Sequence, residues 1–193
     1  MRRLPNILTA ARLAAAPGVL LAFAILPRPA ADWTAALLFV GAALTDWLDG
    51  RLARAWGVES AFGRMLDPIA DKAMAALALA ALLGLYGPAL WLAPPAAAIL
   101  LREVVVSGLR EHLGGGALAV TRAAKWKTTA QLGALAAMLA AGAIGAALGP
   151  DLGRAALALG AALLWYAAAL TLWTGWDYLR RAQEMMAARP GAE

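Results

Sequence analysis

Long apolar segments, each about the length needed to cross a bilayer, recur along this chain and restrict the folds open to it. The chain has 193 residues, 63% of them hydrophobic, and its mean hydropathy is +0.68. A soluble domain of this size would lack the polar surface to cover its core, whereas about six helices of ~20 residues fit a membrane. We therefore predict an all-α polytopic membrane protein, a bundle of six transmembrane helices forming a single domain over residues 1–193.

Proline, glycine and charged residues separate the apolar segments and set their predicted limits. An N-terminal amphipathic lead-in over 6–12 precedes a first span that we expect to be retained, because no convincing signal-peptide cleavage site follows it. The predicted spans cover 13–26, 33 to the first pair of aspartates, 63–86, 89–109, 128–148 and 154–178. Asp32 is predicted to cap the second helix, and Gly87 with Pro88 to form a tight turn. Gly145 and Gly149 are predicted to let helices approach closely.

The basic residues lie at alternate ends of these segments. Of the 17 lysines and arginines, the loops near 28–32, 86–88 and 149–154 contain only Arg28 and Arg154. By the positive-inside rule, both termini and the aspartate-rich stretch face the cytoplasm, which predicts a multi-pass protein of the cell inner membrane. The net charge of +5 forms no single basic stripe, so we expect no nucleic-acid partner.

Four aspartates stand close together in this apolar chain: Asp46, Asp49, Asp67 and Asp71. Carboxylates at membrane depth are costly unless they are paired, hydrated or bound to metal, so such a cluster indicates a polar functional site. Spacings of three and four residues place each pair on one face of its own helix. The chain has no cysteine and one histidine, His112. A metal site would therefore use oxygen ligands, which favours Mg²⁺ or Mn²⁺ over zinc.

With the residues between them, the aspartates read D-x2-D-G-x2-A-R-x8-G-x3-D-x3-D over 46–71. This pattern resembles the signature of the CDP-alcohol phosphatidyltransferase family without departure. The resemblance implies that two divalent cations, Mg²⁺ or Mn²⁺, are held against the CDP pyrophosphate by Asp46, Asp49, Asp67 and Asp71. It also implies that Asp71 is the catalytic base. The implied CDP-binding residues are Asp46, Asp49, Gly50, Ala53, Arg54, Gly63 and Asp67.

Softer matches cover nearly the whole chain. The segments PNILTAARL, FGRMLDPIADK, REVVVSGLRE, KWKTTAQ and TLWTGWDYL look like the bacterial members of the family that make phosphatidylglycerophosphate. The implied reaction transfers the phosphatidyl group of CDP-diacylglycerol to glycerol 3-phosphate and releases CMP, and the resemblance also implies a homodimer among membrane lipids.

A dianionic acceptor such as glycerol 3-phosphate needs cations of its own. The candidates to bind its phosphate are Arg102, Arg110, Lys125, Lys127 and Thr128, with Gln131 as a further hydrogen-bonding residue. The other interpretation of these basic residues is that they bind lipid headgroups at a cytoplasmic helix end. Arg102 has a further alternative, pairing with Glu103 or Glu111.

Several alternatives remain open from the sequence. Within the family, a cardiolipin synthase using phosphatidylglycerol is the first, followed by inositol-phosphate and serine acceptors. From other classes, a cation transporter would also place carboxylates in the membrane, and a noncatalytic scaffold would leave the signature unexplained. The aspartates could also form an interfacial ion-pair network with Arg51, Arg54, Arg64 and Lys72.

Overall fold

The computed structural model describes the backbone over residues 4–56, 61–113 and 122–187, and side chains at 8–48, 51, 63, 65–112 and 126–187. This part of the chain is helical and contains no strand, which confirms the all-α prediction. The helices are α1 (Leu4–Ile25), α2 (Ala30–Trp56), α3 (Ala61–Tyr86), α4 (Ala93–Leu113), α5 (Arg122–Leu148) and α6 (Pro150–Ala187).

Four of these helices are long and apolar enough to cross a membrane: α1, α3, α5 and α6. The protein is therefore a multi-pass membrane protein. The other two carry more charge, since α2 ends in the first aspartate pair and two arginines and α4 contains the REVVVSGLREH stretch. At 27 and 21 residues they have sufficient length, and a span for each stays a prediction.

The helices differ from the predicted limits mainly at the ends predicted to face the cytoplasm. The amphipathic lead-in and the first span form one continuous helix from Leu4, and the basic stretch before the fifth span is already helical from Arg122. The sixth helix continues to Ala187, beyond the apolar segment. Periodic apolar residues mark the part of a helix that lies in lipid, whereas the backbone continues as a helix into water.

The predicted N-cap role of Asp32 is wrong. Helix α2 begins at Ala30, and Asp32 lies inside its first turn with a side chain that is 1% exposed. Its carboxylate accepts two hydrogen bonds from Arg28, at 2.8 Å from Nε and 2.7 Å from Nη2. A carboxylate in the first turn also interacts favourably with the helix dipole. Because Arg28 precedes α2, its ion pair with Asp32 ties the loop between α1 and α2 to the start of α2.

Small residues bring α5 and α6 together, but in a different register from the predicted pair. A Cβ on Gly153 would lie 2.7 Å from the Cα of Gly145, so these two glycines meet across the helix interface. Gly149 has a φ of +107° and forms the turn between the helices instead. The predicted turn at Gly87 is present, with a φ of +74°.

The core is built from alanines and a few large side chains. Helix α1 packs between α2 and α3, α4 packs against α6, and α2 also contacts α5. Fully buried side chains at the centre include Phe39, Leu79, Leu135 and Leu164. Leucine, valine and tryptophan side chains remain exposed on the outer faces, as expected where lipid is the solvent. This packing leaves a cavity among α1 to α5 whose walls carry several charged side chains.

Candidate active site

Asp46 of the first predicted pair and Asp71 of the second approach each other because α2 and α3 both pack on α1. Arg12 of α1 lies between them: its Nη1 is 2.5 Å from Oδ1 of Asp46 and 3.1 Å from Oδ1 of Asp71. Thr9, one turn earlier, donates a hydrogen bond of 2.9 Å from its hydroxyl to Oδ1 of Asp67. One face of α1 therefore holds carboxylates from both α2 and α3.

Exposure shows on which side of the carboxylates the arginine lies. The Arg12 side chain is 2% exposed, whereas those of Asp46 and Asp71 are 43% and 58% exposed. The guanidinium therefore supports the carboxylates from the protein interior, and the carboxylates remain accessible from the cavity.

Thr9 and Arg12 were assigned no role from the sequence. The sequence does indicate that Thr9 and Arg12 share one helix face, because they are three residues apart in the PNILTAARL lead-in. It does not indicate what that face contacts. In the alternative network of Arg51, Arg54, Arg64 and Lys72, the side chains of Arg54 and Arg64 lie outside the described residues. Arg51 stacks on Trp47, with 4.7 Å from its Cζ to the ring centroid, and Lys72 donates to the Ser107 hydroxyl.

A cavity of about 530 Å³ opens beside the aspartates, a size typical of small-molecule sites. Its walls come from α1 to α5. The predicted site residues that line it are Asp46, Asp71, Arg102, Arg110, Lys127 and Thr128. Gln131 and the unpredicted Arg12, Lys72 and Glu103 line it too. One space thus contains the carboxylates of α2 and α3, here called the acidic end (Asp46 and Asp71), and the cations of α4 and α5, here called the basic end (Arg102, Arg110 and Lys127).

Glu103 organises the basic end. Its Oε1 is 3.1 Å from Nη1 of Arg102 and 2.6 Å from Nζ of Lys127. Of the two predicted alternatives for Arg102, pairing with Glu103 is therefore present. The side chain of Lys127 is 7% exposed, and that of Arg102 is 14% exposed. Both cations are held below the surface and close to one carboxylate.

Arg110 lies nearer the outside of the cavity. Its Nε donates to the hydroxyl of Tyr178 on α6 at 3.3 Å, and its Cζ is 5.6 Å from the centre of that ring. Such a cation–aromatic contact holds the guanidinium without neutralising its charge. Arg110 therefore keeps its positive charge for an anion in the cavity.

The remaining predicted residues divide into two groups. Gly63 is buried on α3, and Asp67 contacts Thr9 and is not part of the cavity wall. The side chains of Asp49, Gly50, Ala53, Arg54 and Lys125 lie outside the described set, although their backbones belong to α2 and α5.

The carboxylates of this site are oxygen donors of the kind that hard divalent cations prefer. Asp46 and Asp71 offer accessible carboxylate oxygens, and a positive charge, the Arg12 guanidinium, already stands between them. Among the described side chains, no three acidic or histidine groups have the geometry to hold a metal by themselves. A complete site would therefore draw on Asp49, whose side chain is outside that set.

The sequence also matches known proteins. Residues 2–173 match the family model described as CDP-alcohol phosphatidyltransferase. The chain is 48% identical to a CDP-diacylglycerol–glycerol-3-phosphate 3-phosphatidyltransferase of Cereibacter sphaeroides, covering 93% of this chain and 95% of that relative. Relatives with the same name in Pectobacterium atrosepticum and Sodalis glossinidius are 41% and 40% identical, each covering 93% of this chain and 94% of the relative.

Proposed function

The chain belongs to the CDP-alcohol phosphatidyltransferase family, and on this premise we propose that it transfers the phosphatidyl group of CDP-diacylglycerol to glycerol 3-phosphate. The products are phosphatidylglycerophosphate and CMP. The protein is thus a membrane transferase of phospholipid biosynthesis, and its relatives are named for this acceptor. Family membership argues against the cation-transporter and scaffold alternatives.

The observation that carries the proposal is the two-ended cavity. The reaction must bring a nucleotide pyrophosphate next to a second phosphate-bearing molecule, and both are anionic. Asp46 and Asp71 line the cavity together with Arg102, Arg110 and Lys127. A cavity of this kind can place an acceptor hydroxyl beside a metal-bound donor while the acceptor phosphate stays with the basic side chains.

We assign the donor to the acidic end. The residues proposed to hold two divalent cations, Mg²⁺ or Mn²⁺, are Asp46, Asp49, Asp67 and Asp71. Bound divalent cations would supply positive charge to the pyrophosphate and to the departing CMP. The residues proposed to contact CDP are Asp46, Asp49, Gly50, Ala53, Arg54, Gly63 and Asp67. Glycine and alanine leave room for the nucleotide, and Arg54 supplies a forked cation suited to phosphate.

Asp71 is the proposed catalytic base. The acceptor hydroxyl oxygen attacks the lipid-side phosphorus, the bond from that phosphorus to the CMP oxygen breaks, and Asp71 takes the hydroxyl proton. Arg12 holds Asp71 from behind at 3.1 Å and leaves its side chain 58% exposed toward the reactants. Because a carboxylate is a weak base, alignment of the reactants contributes a large part of the rate.

We assign the acceptor phosphate to the basic end, to Arg102, Arg110, Lys125, Lys127 and Thr128. Of these, Arg102, Arg110, Lys127 and Thr128 line the cavity. A lipid-headgroup role would require side chains directed at the membrane surface. Lys127 and Arg102 are instead 7% and 14% exposed and face the same cavity as the aspartates, which favours a soluble phosphate.

Placement in the membrane completes the proposal. The acyl chains of the donor remain in lipid while its headgroup enters the cavity. The active site and both termini face the cytoplasm across the inner membrane, as the distribution of basic residues indicates. We also propose a homodimer, on the resemblance to the family.

An acceptor comparison tests this function. Purified protein receives CDP-diacylglycerol and Mg²⁺ with labelled glycerol 3-phosphate, phosphatidylglycerol, inositol phosphate or serine, alongside the variant Asp71→Asn. We expect label to enter a new lipid product from glycerol 3-phosphate alone. The variant should lose at least about 10²-fold in rate, the usual contribution of a general base. Label from a different acceptor would overturn the assignment of the acceptor, and full activity of Asp71→Asn would overturn its role.

A further inference from the structure

Glu103 is an acidic residue placed where the proposed function calls for positive charge. It lines the cavity beside Arg102, Arg110 and Lys127. An acceptor dianion would be repelled by its carboxylate, so its position at the basic end needs a reason. The sequence signature assigns it none.

The contacts of Glu103 supply that reason. One oxygen, Oε1, lies 2.6 Å from Nζ of Lys127 and 3.1 Å from Nη1 of Arg102. Lys127 belongs to α5, whereas Arg102 and Glu103 belong to α4, which packs mainly against α6. The carboxylate therefore links two helices across the cavity and places their cations around one atom.

The backbone and stem around Glu103 are held as well. The Ser107 hydroxyl donates a hydrogen bond of 2.5 Å to the carbonyl oxygen of Glu103, and Lys72 donates to that hydroxyl. On the other side, Gly175 of α6 leaves space for Arg102, since a Cβ there would lie 3.1 Å from Cγ of Arg102. The group is thus fixed from α3, α4, α5 and α6.

Burial decides which effect of the carboxylate is larger. Its negative charge weakens the attraction of the cavity for an anion. However, Lys127 is 7% exposed, and a buried ammonium that loses its partner is strongly destabilised and leaves its position. Without Glu103, the two cations would also repel each other. When Glu103 is removed, we expect the displacement of Arg102 and Lys127 to weaken anion binding more than the more positive electrostatic potential strengthens it.

We propose that Glu103 is a positioning residue that holds Arg102 and Lys127 together as one binding site for the acceptor's phosphate. This inference rests on the proposed function and deepens it. Glu103 itself makes no contact with the reacting atoms. Its effect reaches the acceptor through the two cations.

Steady-state kinetics of Glu103→Ala test the role. We expect the KM for glycerol 3-phosphate to rise about tenfold, while kcat and the KM for CDP-diacylglycerol stay within about twofold, because binding of the acceptor alone is weakened. Glu103→Gln keeps the side-chain shape and one oxygen acceptor, and should raise the same KM about threefold. The glutamine variant carries the test if the alanine variant does not fold. Glu111→Gln, at the exposed end of the same helix, is the matched control and should leave all three values unchanged.

A double-mutant cycle separates positioning from a general structural effect. Glu103→Ala, Lys127→Ala and the double variant are compared by the KM for glycerol 3-phosphate. If Glu103 acts through Lys127, the rise in KM in the double variant should be at least about threefold smaller than the product of the rises in the two single variants. Independent, multiplicative effects would overturn the proposal, and so would a lower KM in Glu103→Gln. A wild-type protein that transfers nothing to glycerol 3-phosphate would instead refute the proposed function, whereas an active wild type with unshifted Glu103 variants would refute only the positioning role.

Discussion

At the scale of single residues, the site depends on charges that are placed by other charges. Arg12 supports Asp46 and Asp71, and Glu103 supports Arg102 and Lys127. Arg12 is less exposed than the two carboxylates that it supports, whereas Glu103 is slightly more exposed than Arg102 and Lys127. Each group thus consists of one charged residue between two of opposite charge, and both groups line the cavity of about 530 Å³.

Removal of Arg12 should destabilise the protein most when no divalent cation is present. In Arg12→Met, Asp46 and Asp71 lose their shared counter-ion and repel each other, which should cost roughly 1–2 kcal/mol, because both carboxylates keep partial contact with solvent. Mg²⁺ should recover part of this loss by supplying positive charge. Thermal unfolding in detergent with and without Mg²⁺ measures both effects.

Arg181→Met is the control for that experiment, since Arg181 is 48% exposed and pairs with Asp177 on α6, outside the cavity wall. It should change the unfolding temperature little, and equally with and without Mg²⁺. An Arg12→Met protein with the same Mg²⁺ response as the wild type would contradict the role assigned to Arg12.

At the scale of helices, small residues determine how closely the elements approach. Gly153 and Gly145 bring α5 and α6 into backbone contact, and Gly160 similarly faces Met138 and the backbone of α5. In lipid, close packing of this kind replaces much of the hydrophobic driving force. It also fixes α5, and with it Lys127, relative to α6.

Gly153→Ala should lower stability, because the added Cβ would lie 2.7 Å from the Cα of Gly145 and 2.8 Å from the carbonyl oxygen of Ala141. Backbone atoms cannot turn aside, so overpacking should cost about 1–3 kcal/mol. Gly84→Ala on α3 is the matched control, because nothing lies within 4 Å of its Cβ position. Its unfolding temperature should stay level or rise slightly, since alanine favours a helix. Equal unfolding temperatures for the two variants would contradict the close approach.

The sequence predicted which segments form helices, but it did not predict which residues of different helices contact each other. Apolar length and turn residues predicted six helical segments, and the described chain contains six. The aspartate spacing placed each pair on one face. That Arg12 meets Asp71, or Lys127 meets Glu103, depends on how each helix is rotated about its axis in the bundle. The same limit explains the glycines, because the sequence paired Gly145 with its neighbour in the chain rather than with Gly153 across the interface.

At the scale of the whole molecule, the cavity takes its walls from α1 to α5 and combines carboxylates with basic side chains. This arrangement suits an enzyme whose donor is a lipid and whose acceptor is water-soluble. In the proposed reaction the donor remains anchored by its acyl chains, and the acceptor enters from the side predicted to be cytoplasmic. The cysteine-free sequence makes this orientation simple to test.

Single cysteines at the two ends of α6 should react from opposite sides of the membrane. Asp151, whose side chain is 89% exposed, and the exposed Glu184 are suitable positions. In spheroplasts with an intact inner membrane, a membrane-impermeant maleimide should label Asp151→Cys directly and Glu184→Cys only after permeabilisation. The cysteine-free parent is the control for background labelling. The reverse pattern would contradict a cytoplasmic active site.

The most direct test of phosphatidyl transfer to glycerol 3-phosphate is a measurement of its stoichiometry on the purified protein. The donor is CDP-diacylglycerol labelled with ³²P at its lipid-side phosphorus, and the acceptor is ¹⁴C-labelled glycerol 3-phosphate. We expect one lipid product that carries both labels in equal amounts, with one CMP released for each product molecule. CMP release with ³²P lipid that lacks ¹⁴C would show hydrolysis or another acceptor, and would contradict transfer to glycerol 3-phosphate within this cavity.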